Sequence, residues 1–274
     1  MMGDNTKIEW AQAGLGRGAS WNPIRARDKA SGRRGYHCTH VSEGCRFCYA
    51  ERFNQRLGTG LAYKPGHEAQ LHIYLDQGTL MEPMAWKTPR GIFVCSMSDA
   101  FGEWVPDAWI DMMVKVAVEC ARHRFLFLTK RGARLAAYSR AHALPANVWC
   151  GVSVEDQSSA DERLPQLHAT RAAIRFVSYE PALADVDFGP QLLGIDWLIG
   201  GGESGPEARS SSLGWHAHAL AQCQASGTAY FEKQLGARPV RSAGGPHRIS
   251  DAKGGKMDEW PRALRVREFP EAPS

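Results

Sequence analysis

Short apolar runs recur along most of the chain, and each ends in small or polar residues. They are Gly91–Ser98 (GIFVCSMS), Arg124–Thr129 (RFLFLT), Asn147–Ser153 (NVWCGVS), Ile174–Ser178 (IRFVS) and Ile195–Gly200 (IDWLIG), with a weaker one at Thr228–Phe231. Runs of this length, rich in branched and aromatic side chains and without strict alternation, predict strands buried on both faces. Between them lie stretches whose apolar residues share one helical face. Asp107–Arg122 places Trp109, Met112, Met113, Val116 and Cys120 near one side, and Leu213–Ser226 is a second helix candidate. Strands alternating with helices predict a parallel sheet with helical crossovers.

The residues after each run add to this picture. Ser96, Ser98 and Asp99 follow the first run; Thr129, Lys130 and Arg131 the second; Ser153, Glu155 and Asp156 the third. Ser178 and Glu180 follow the fourth, and Gly200-Gly201-Gly202-Glu203 the fifth. Ligands of parallel α/β folds bind at the carboxyl ends of strands, so these groups predict one lined mouth. Taken singly, such a carboxylate can equally be a helix N-cap or an ion-pair partner. No G-x-G-x-x-G follows a strand. The expected fold is therefore α/β, a full or partial TIM-type (β/α) barrel with a cysteine loop near its N-terminus. We read one domain: an N-terminal segment with a basic loop (1–37), the barrel (38–235) and a C-terminal extension (236–274). In the first segment Ile8–Trp10 reads as a short strand, and Ala11–Gly18 and Gly32–Gly35 as loops. The extension, rich in Gly, Pro and Arg, is expected to wrap the surface.

Composition narrows the class. The 274 residues, 43% hydrophobic and 23% charged, suit one globular α/β barrel. No apolar stretch approaches the roughly 18 residues of a membrane span, so no membrane partner is expected. The N-terminus carries no apolar signal region, which predicts a cytoplasmic protein. The net charge of +4 decides little. Its distribution says more: Arg25, Arg27, Lys29, Arg33 and Arg34 crowd one stretch against a lone Asp28, and His123–Arg134 is a second basic run. Such runs are either solvated surface or a rim that contacts phosphates.

Three of the seven cysteines sit close together, Cys38, Cys45 and Cys48, in a C-x6-C-x2-C pattern with Phe47 before the last thiol. Three neighbouring thiolates can hold three corners of a cubane iron–sulfur cluster and leave one iron open for a small-molecule ligand. A zinc site is the alternative, with His37 or His40 as fourth ligand. Cys95, Cys120, Cys150 and Cys223 fall on apolar runs and read as core thiols. His72, His123 and His216 are isolated.

The motifs Lys7-Ile-Glu-Trp10, Trp21-Asn-Pro23, Gly44-Cys45-Arg-Phe-Cys48-Tyr-Ala-Glu51, Met97-Ser-Asp99, Gly201-Gly-Glu-Ser-Gly205 and Phe231-Glu-Lys-Gln234 resemble the phage Gp37/Gp68-type (DUF5131) family, over nearly the whole chain. That family is similar to radical S-adenosylmethionine enzymes, whose usual motif is C-x3-C-x-aromatic-C. Here the second half matches, and the first spacing is six.

The resemblance implies a [4Fe–4S] cluster on Cys38, Cys45 and Cys48, with S-adenosylmethionine chelated to the open iron. One-electron reduction by a partner protein would yield a 5′-deoxyadenosyl radical. It also suggests roles for the strand ends. Ser98 and Asp99 would hold the amino group, Glu155 or Glu180 the ribose, and Lys130 a carboxylate or phosphate. Gly201 and Gly202 would allow close backbone approach, and Glu203 would bind a polar group, with Phe47 beside the cluster. The expected substrate is DNA or a nucleotide, for repair or modification, contacted by Arg25, Arg27, Arg33 and Arg34. A peptide- or metabolite-directed radical enzyme, and a non-catalytic metal or iron–sulfur protein, are the competing expectations.

Overall fold

A computed structural model of the chain describes residues 6–271. Its strands, in chain order, are β1 (Gly18–Trp21), β2 (Ile24–Asp28), β3 (Arg34–Gly35), β4 (Leu71–Leu75), β5 (Gly91–Val94), β6 (Arg124–Thr129), β7 (Val148–Ser153), β8 (Ile174–Tyr179), β9 (Trp197–Gly201), β10 (Ser211–Ser212), β11 (Ala229–Gln234) and β12 (Pro239–Val240). Its helices are α1 (Tyr49–Leu57), α2 (Gln77–Leu80), α3 (Glu82–Ala85), α4 (Asp107–Glu119), α5 (Gly132–Ala141), α6 (Gln157–His168) and α7 (Leu213–Ser226). All six apolar runs are strands, and both helix candidates are helices. Local chemistry fixes several boundaries. Asp156 and Ser159 cap α6 reciprocally, Ser212 caps α7, and Gly227 ends α7 at φ 74°.

Seven strands form one parallel sheet in the order β1-β5-β6-β7-β8-β9-β11. The strands lie side by side in chain order, so right-handed crossovers carry the connecting helices α4, α5, α6 and α7 to the same face. That face and the helices enclose one core, which includes Val94, Phe125, Phe127, Val177 and Leu198. The alternate residues point the other way and form a second core of Phe93, Leu126, Trp149, Phe176, Trp197 and Ile199 around Trp10. Two cores on opposite faces explain why the runs read as continuously apolar.

The sheet is curled. The 3₁₀ turn Glu9–Gln12 touches β1, β5 and β11 together. In a flat sheet of this width the outer strands would lie about 29 Å apart, beyond the reach of one such turn. The chain thus forms part of a barrel. β1 and β11 share no ladder, so the full TIM barrel among our expectations is not formed among the described residues. Segments of chain cover both edges instead. Thr6 N–H donates to the Gly18 carbonyl beside β1, and Val266–Glu268 lies antiparallel along β11.

Two local expectations are corrected. Ile8–Trp10 is not a strand: Trp10 turns inward, 1% exposed, as the floor of the half-barrel, 4.7 Å from the Phe93 ring. The basic stretch is not a loop. β2 pairs antiparallel with β3 and β4 in a separate three-stranded sheet, and this sheet leads straight into Cys38. No described helix is long and apolar enough to cross a membrane.

Candidate functional site

The carboxyl ends of the seven strands open into one cavity of about 1140 Å³. Typical small-molecule sites measure about 300–1,000 Å³, so there is room for more than one ligand. Trp10, Phe93 and Leu128 form its apolar floor. Cys38, Cys45, Phe47 and Cys48 line one wall. Ser98, Asp99, Lys130, Glu180, Gly202 and Glu203 line it from the strand ends. The cysteine segment and the strand ends thus face a common space. Glu155 and Gly201 stand behind this lining rather than in it.

Cys38 follows β3. Cys45 closes the 3₁₀ turn Glu43–Cys45, and Cys48 is the N-cap of α1. All three are free thiols. Burial pushes the Cys38 thiol well up; Asp99 and the two neighbouring thiols add to this, and Arg131 opposes it. Burial also raises Cys48, while the backbone N–H groups of Ala50 and Glu51 at the start of α1 pull it back. Protonated, Cys38 and Cys48 are inert thiols. A bound metal would supply the positive charge that makes them thiolates.

Among the described residues, no three or more His, Cys, Asp or Glu side chains are grouped so as to hold a metal ion. The two histidines weighed as a fourth zinc ligand differ in their surroundings. His40 is engaged by Glu51 at 2.8 Å. His37 sits edge-on to Trp104 with Glu68 at 3.8 Å, and burial lowers its imidazole to about 4.

Several strand-end residues hold the cysteine loop in place. Ser98 Oγ donates to the His37 carbonyl at 2.6 Å. Asp99 accepts from Thr129 Oγ1, the Phe101 N–H and Arg131 Nη1. Arg131 in turn donates to Thr39 Oγ1 at 2.6 Å. Glu155, 1% exposed, accepts from Ser42 Oγ at 2.8 Å, from Arg163 at 2.9 Å and from Lys130. Burial works to raise the Glu155 carboxyl, but Lys130 and Arg163 outweigh it and hold it below its ordinary value. A Cβ at Gly44 would fall 2.4 Å from Glu155 Oε1, so only glycine lets the loop settle there. Glu203 is bound by Arg209 at 2.7 Å, and Arg209 donates to the Glu43 carbonyl at 3.0 Å. The Arg209 and Arg46 guanidiniums both lie over the Phe47 ring, at 5.3 and 5.4 Å. Ser98, Asp99, Glu155 and Glu203 thus hold the cysteine loop on the strand ends, and Ser98, Asp99 and Glu203 also line the cavity.

Glu180 is different. Its Oε2 pairs with Lys233 Nζ at 3.1 Å, while Oε1 is buried with no hydrogen-bond partner. Gly201 makes room for it, since a Cβ there would meet Oε1 at 2.4 Å. Gly202 lets the backbone after β11 approach closely. Burial raises the Glu180 carboxyl, and Lys233 offsets only part of this. Folding then favours the protonated form. That contribution is complete below the ordinary carboxyl value and is lost as pH rises through the higher folded value. Lys233→Met is expected to push the folded value higher. Its melting temperature should match the wild type below about pH 4.5 and fall progressively behind above it. A deficit independent of pH would show that the pair is not the cause.

Lys233 and Arg209 escaped the sequence reading. Lys233 lies in the Phe231–Gln234 motif, at the end of the weakest apolar run, and Arg209 lies in no run at all. In the second basic run Arg131 is paired with Asp99, and Arg134 with Asp107 at 2.8 Å. Cys95, Cys120, Cys150 and Cys223 are buried, and Cys95 also borders the cavity at φ 55°.

A family model described as a protein of unknown function (DUF5131) matches residues 5–261. The chain belongs to this family. DUF5131 thereby covers the cysteine loop, all seven strands of the half-barrel and the Glu180–Lys233 pair. No curated protein and no solved structure matches the chain.

Proposed function

We propose that this DUF5131 chain is a [4Fe–4S] enzyme of the radical S-adenosylmethionine type, acting on DNA or a nucleotide. One observation carries the reading: three free thiols and a half-buried carboxyl group, paired with Lys233 through one oxygen and unpartnered at the other, line a single large cavity at the carboxyl ends of a parallel half-barrel. Cys38, Cys45 and Cys48 would hold the cluster. Reduced by an external protein with S-adenosylmethionine bound, it supplies one-electron cleavage of the sulfonium to a 5′-deoxyadenosyl radical.

The chain's own residues do the rest. The Glu180 carboxyl group lines the cavity and would accept a hydrogen bond from a ligand hydroxyl or amine. Lys233 keeps that carboxyl oriented. Lys130 sits where the loop meets the strand ends and places a positive charge at the cavity wall. Trp10, Phe93 and Leu128 exclude water from the floor.

Anaerobic reconstitution tests the reading. About four irons per chain, a changed spin signal on adding S-adenosylmethionine, and 5′-deoxyadenosine on reduction are expected. Iron without 5′-deoxyadenosine would leave a non-catalytic iron–sulfur protein. One tightly bound zinc would end the proposal.

A further inference from the structure

The three-stranded sheet has two unlike faces. One carries Ile24, Ala26, Leu71 and Leu75, all buried. On the other, Arg25 stands opposite Tyr74, and Arg27 stands between His72 and Arg34. Directly paired residues share a face, so two rows of basic and aromatic side chains lie side by side. Arg27, Arg34 and His72 are exposed, and the His72 and Tyr74 rings stack at 5.3 Å. Arg33, the alternate residue, points elsewhere and donates to the Arg56 carbonyl at the end of α1.

This face runs into a second cavity of about 490 Å³, lined by Arg25, Arg34, Tyr36 and Tyr74. The Arg25 guanidinium lies 4.9 Å from the Tyr36 ring centroid. Asp76 and Glu82 also line it, and Asp76 is committed to capping α2 at 2.8 Å. Ser20, Asn22 and Phe53 line both this cavity and the large one, so the two adjoin across these side chains.

We propose that this sheet face binds single-stranded nucleic acid and passes one nucleotide through the smaller cavity toward the larger. Arginines complement phosphates, and the aromatic row offers stacking faces for bases. Of the outer row, Arg34 belongs to the smaller cavity's lining while Arg27 and His72 lie outside it. A mononucleotide held in that cavity leaves Arg27 and His72 unused, whereas a polymer spans both rows. A base paired in a duplex cannot enter a concave cavity without being extruded first. The inference deepens the function proposed above for its chemistry, but the binding itself needs no cluster.

The test is fluorescence anisotropy of a labelled 20-nucleotide oligothymidylate with the full chain, across salt concentration. Three phosphate contacts predict a log–log slope of about −2. Arg27→Ala with Arg34→Ala should weaken binding about tenfold or more and reduce that slope by about 1.4. Tyr74→Ala should weaken binding about fivefold or more with the slope unchanged. Arg140→Ala with Arg171→Ala, two exposed positions elsewhere, should change neither. Equal losses in this control pair, an unaffected Arg27/Arg34 variant, or equally tight binding of a duplex would each overturn the inference. Binding retained in a chain that makes no 5′-deoxyadenosine would refute the radical reading and leave this one standing.

Discussion

Replacing Cys45 with serine is expected to leave the chain unable to hold iron or to cleave S-adenosylmethionine. Three thiolates are the whole protein donor set proposed for the cluster, and a serine hydroxyl stays protonated where a thiol gives up its proton. The fold should tolerate the change. Cys45 Sγ makes only a weak contact, 3.9 Å from Ser42 Oγ, and serine keeps the shape of the 3₁₀ turn. Loss of iron with an unchanged melting temperature would therefore point to a lost ligand, not a lost structure. Cys223→Ala is the matching control, because Cys223 is buried in the core on α7, away from the loop. It should keep about four irons per chain. Iron retained in Cys45→Ser at the wild-type level would remove Cys45 from the donor set and the cluster reading with it.

The second large effect is expected at Glu155. Glu155→Ala leaves Lys130 and Arg163 buried or half-buried without their counter-charge and takes away the acceptor for Ser42. Breaking a buried ion pair from one side costs about 3–5 kcal/mol, or roughly 10 °C in melting temperature for a chain of this size. The loop from Thr39 to Cys48 should also lose its footing on β7, giving faster proteolysis there and lower iron occupancy. Glu155→Gln keeps the shape and one acceptor, so its loss should be smaller. Thermal unfolding decides: a drop below about 1 kcal/mol in Glu155→Ala would place the pair among weakly contributing surface contacts.

What could be read in the sequence follows from burial. Strands covered on both faces must be apolar at every position, and β5 to β9 and β11 announced themselves that way. β1, Gly-Ala-Ser-Trp, belongs to the same sheet, but its small residues carry no such signal. β2 reads Ile-Arg-Ala-Arg-Asp, an alternation of buried and solvent-facing positions that a count of charges hides. Trp10 shows the opposite failure. Its flanks favour a strand, yet the hollow of the half-barrel demands a large plug, and tertiary packing overrode local preference. The mouth at the strand ends was legible because parallel sheets direct ligands there. The division of labour within it was not. Whether a carboxylate faces a ligand or an arginine depends on partners such as Arg131, Arg163 and Arg209. Only folding brings these to Asp99, Glu155 and Glu203.

The unclosed side of the half-barrel bears on how the molecule is made. Its interior is completed from both directions, by Trp10 near the start and by Phe269, whose ring lies 5.3 Å from Phe231 and 5.5 Å from Trp197. During synthesis the early strands must wait, with a wet hollow and an unguarded β11 edge, until those late residues emerge from the ribosome. Nascent chains stalled before that point would expose a ready template for intermolecular pairing.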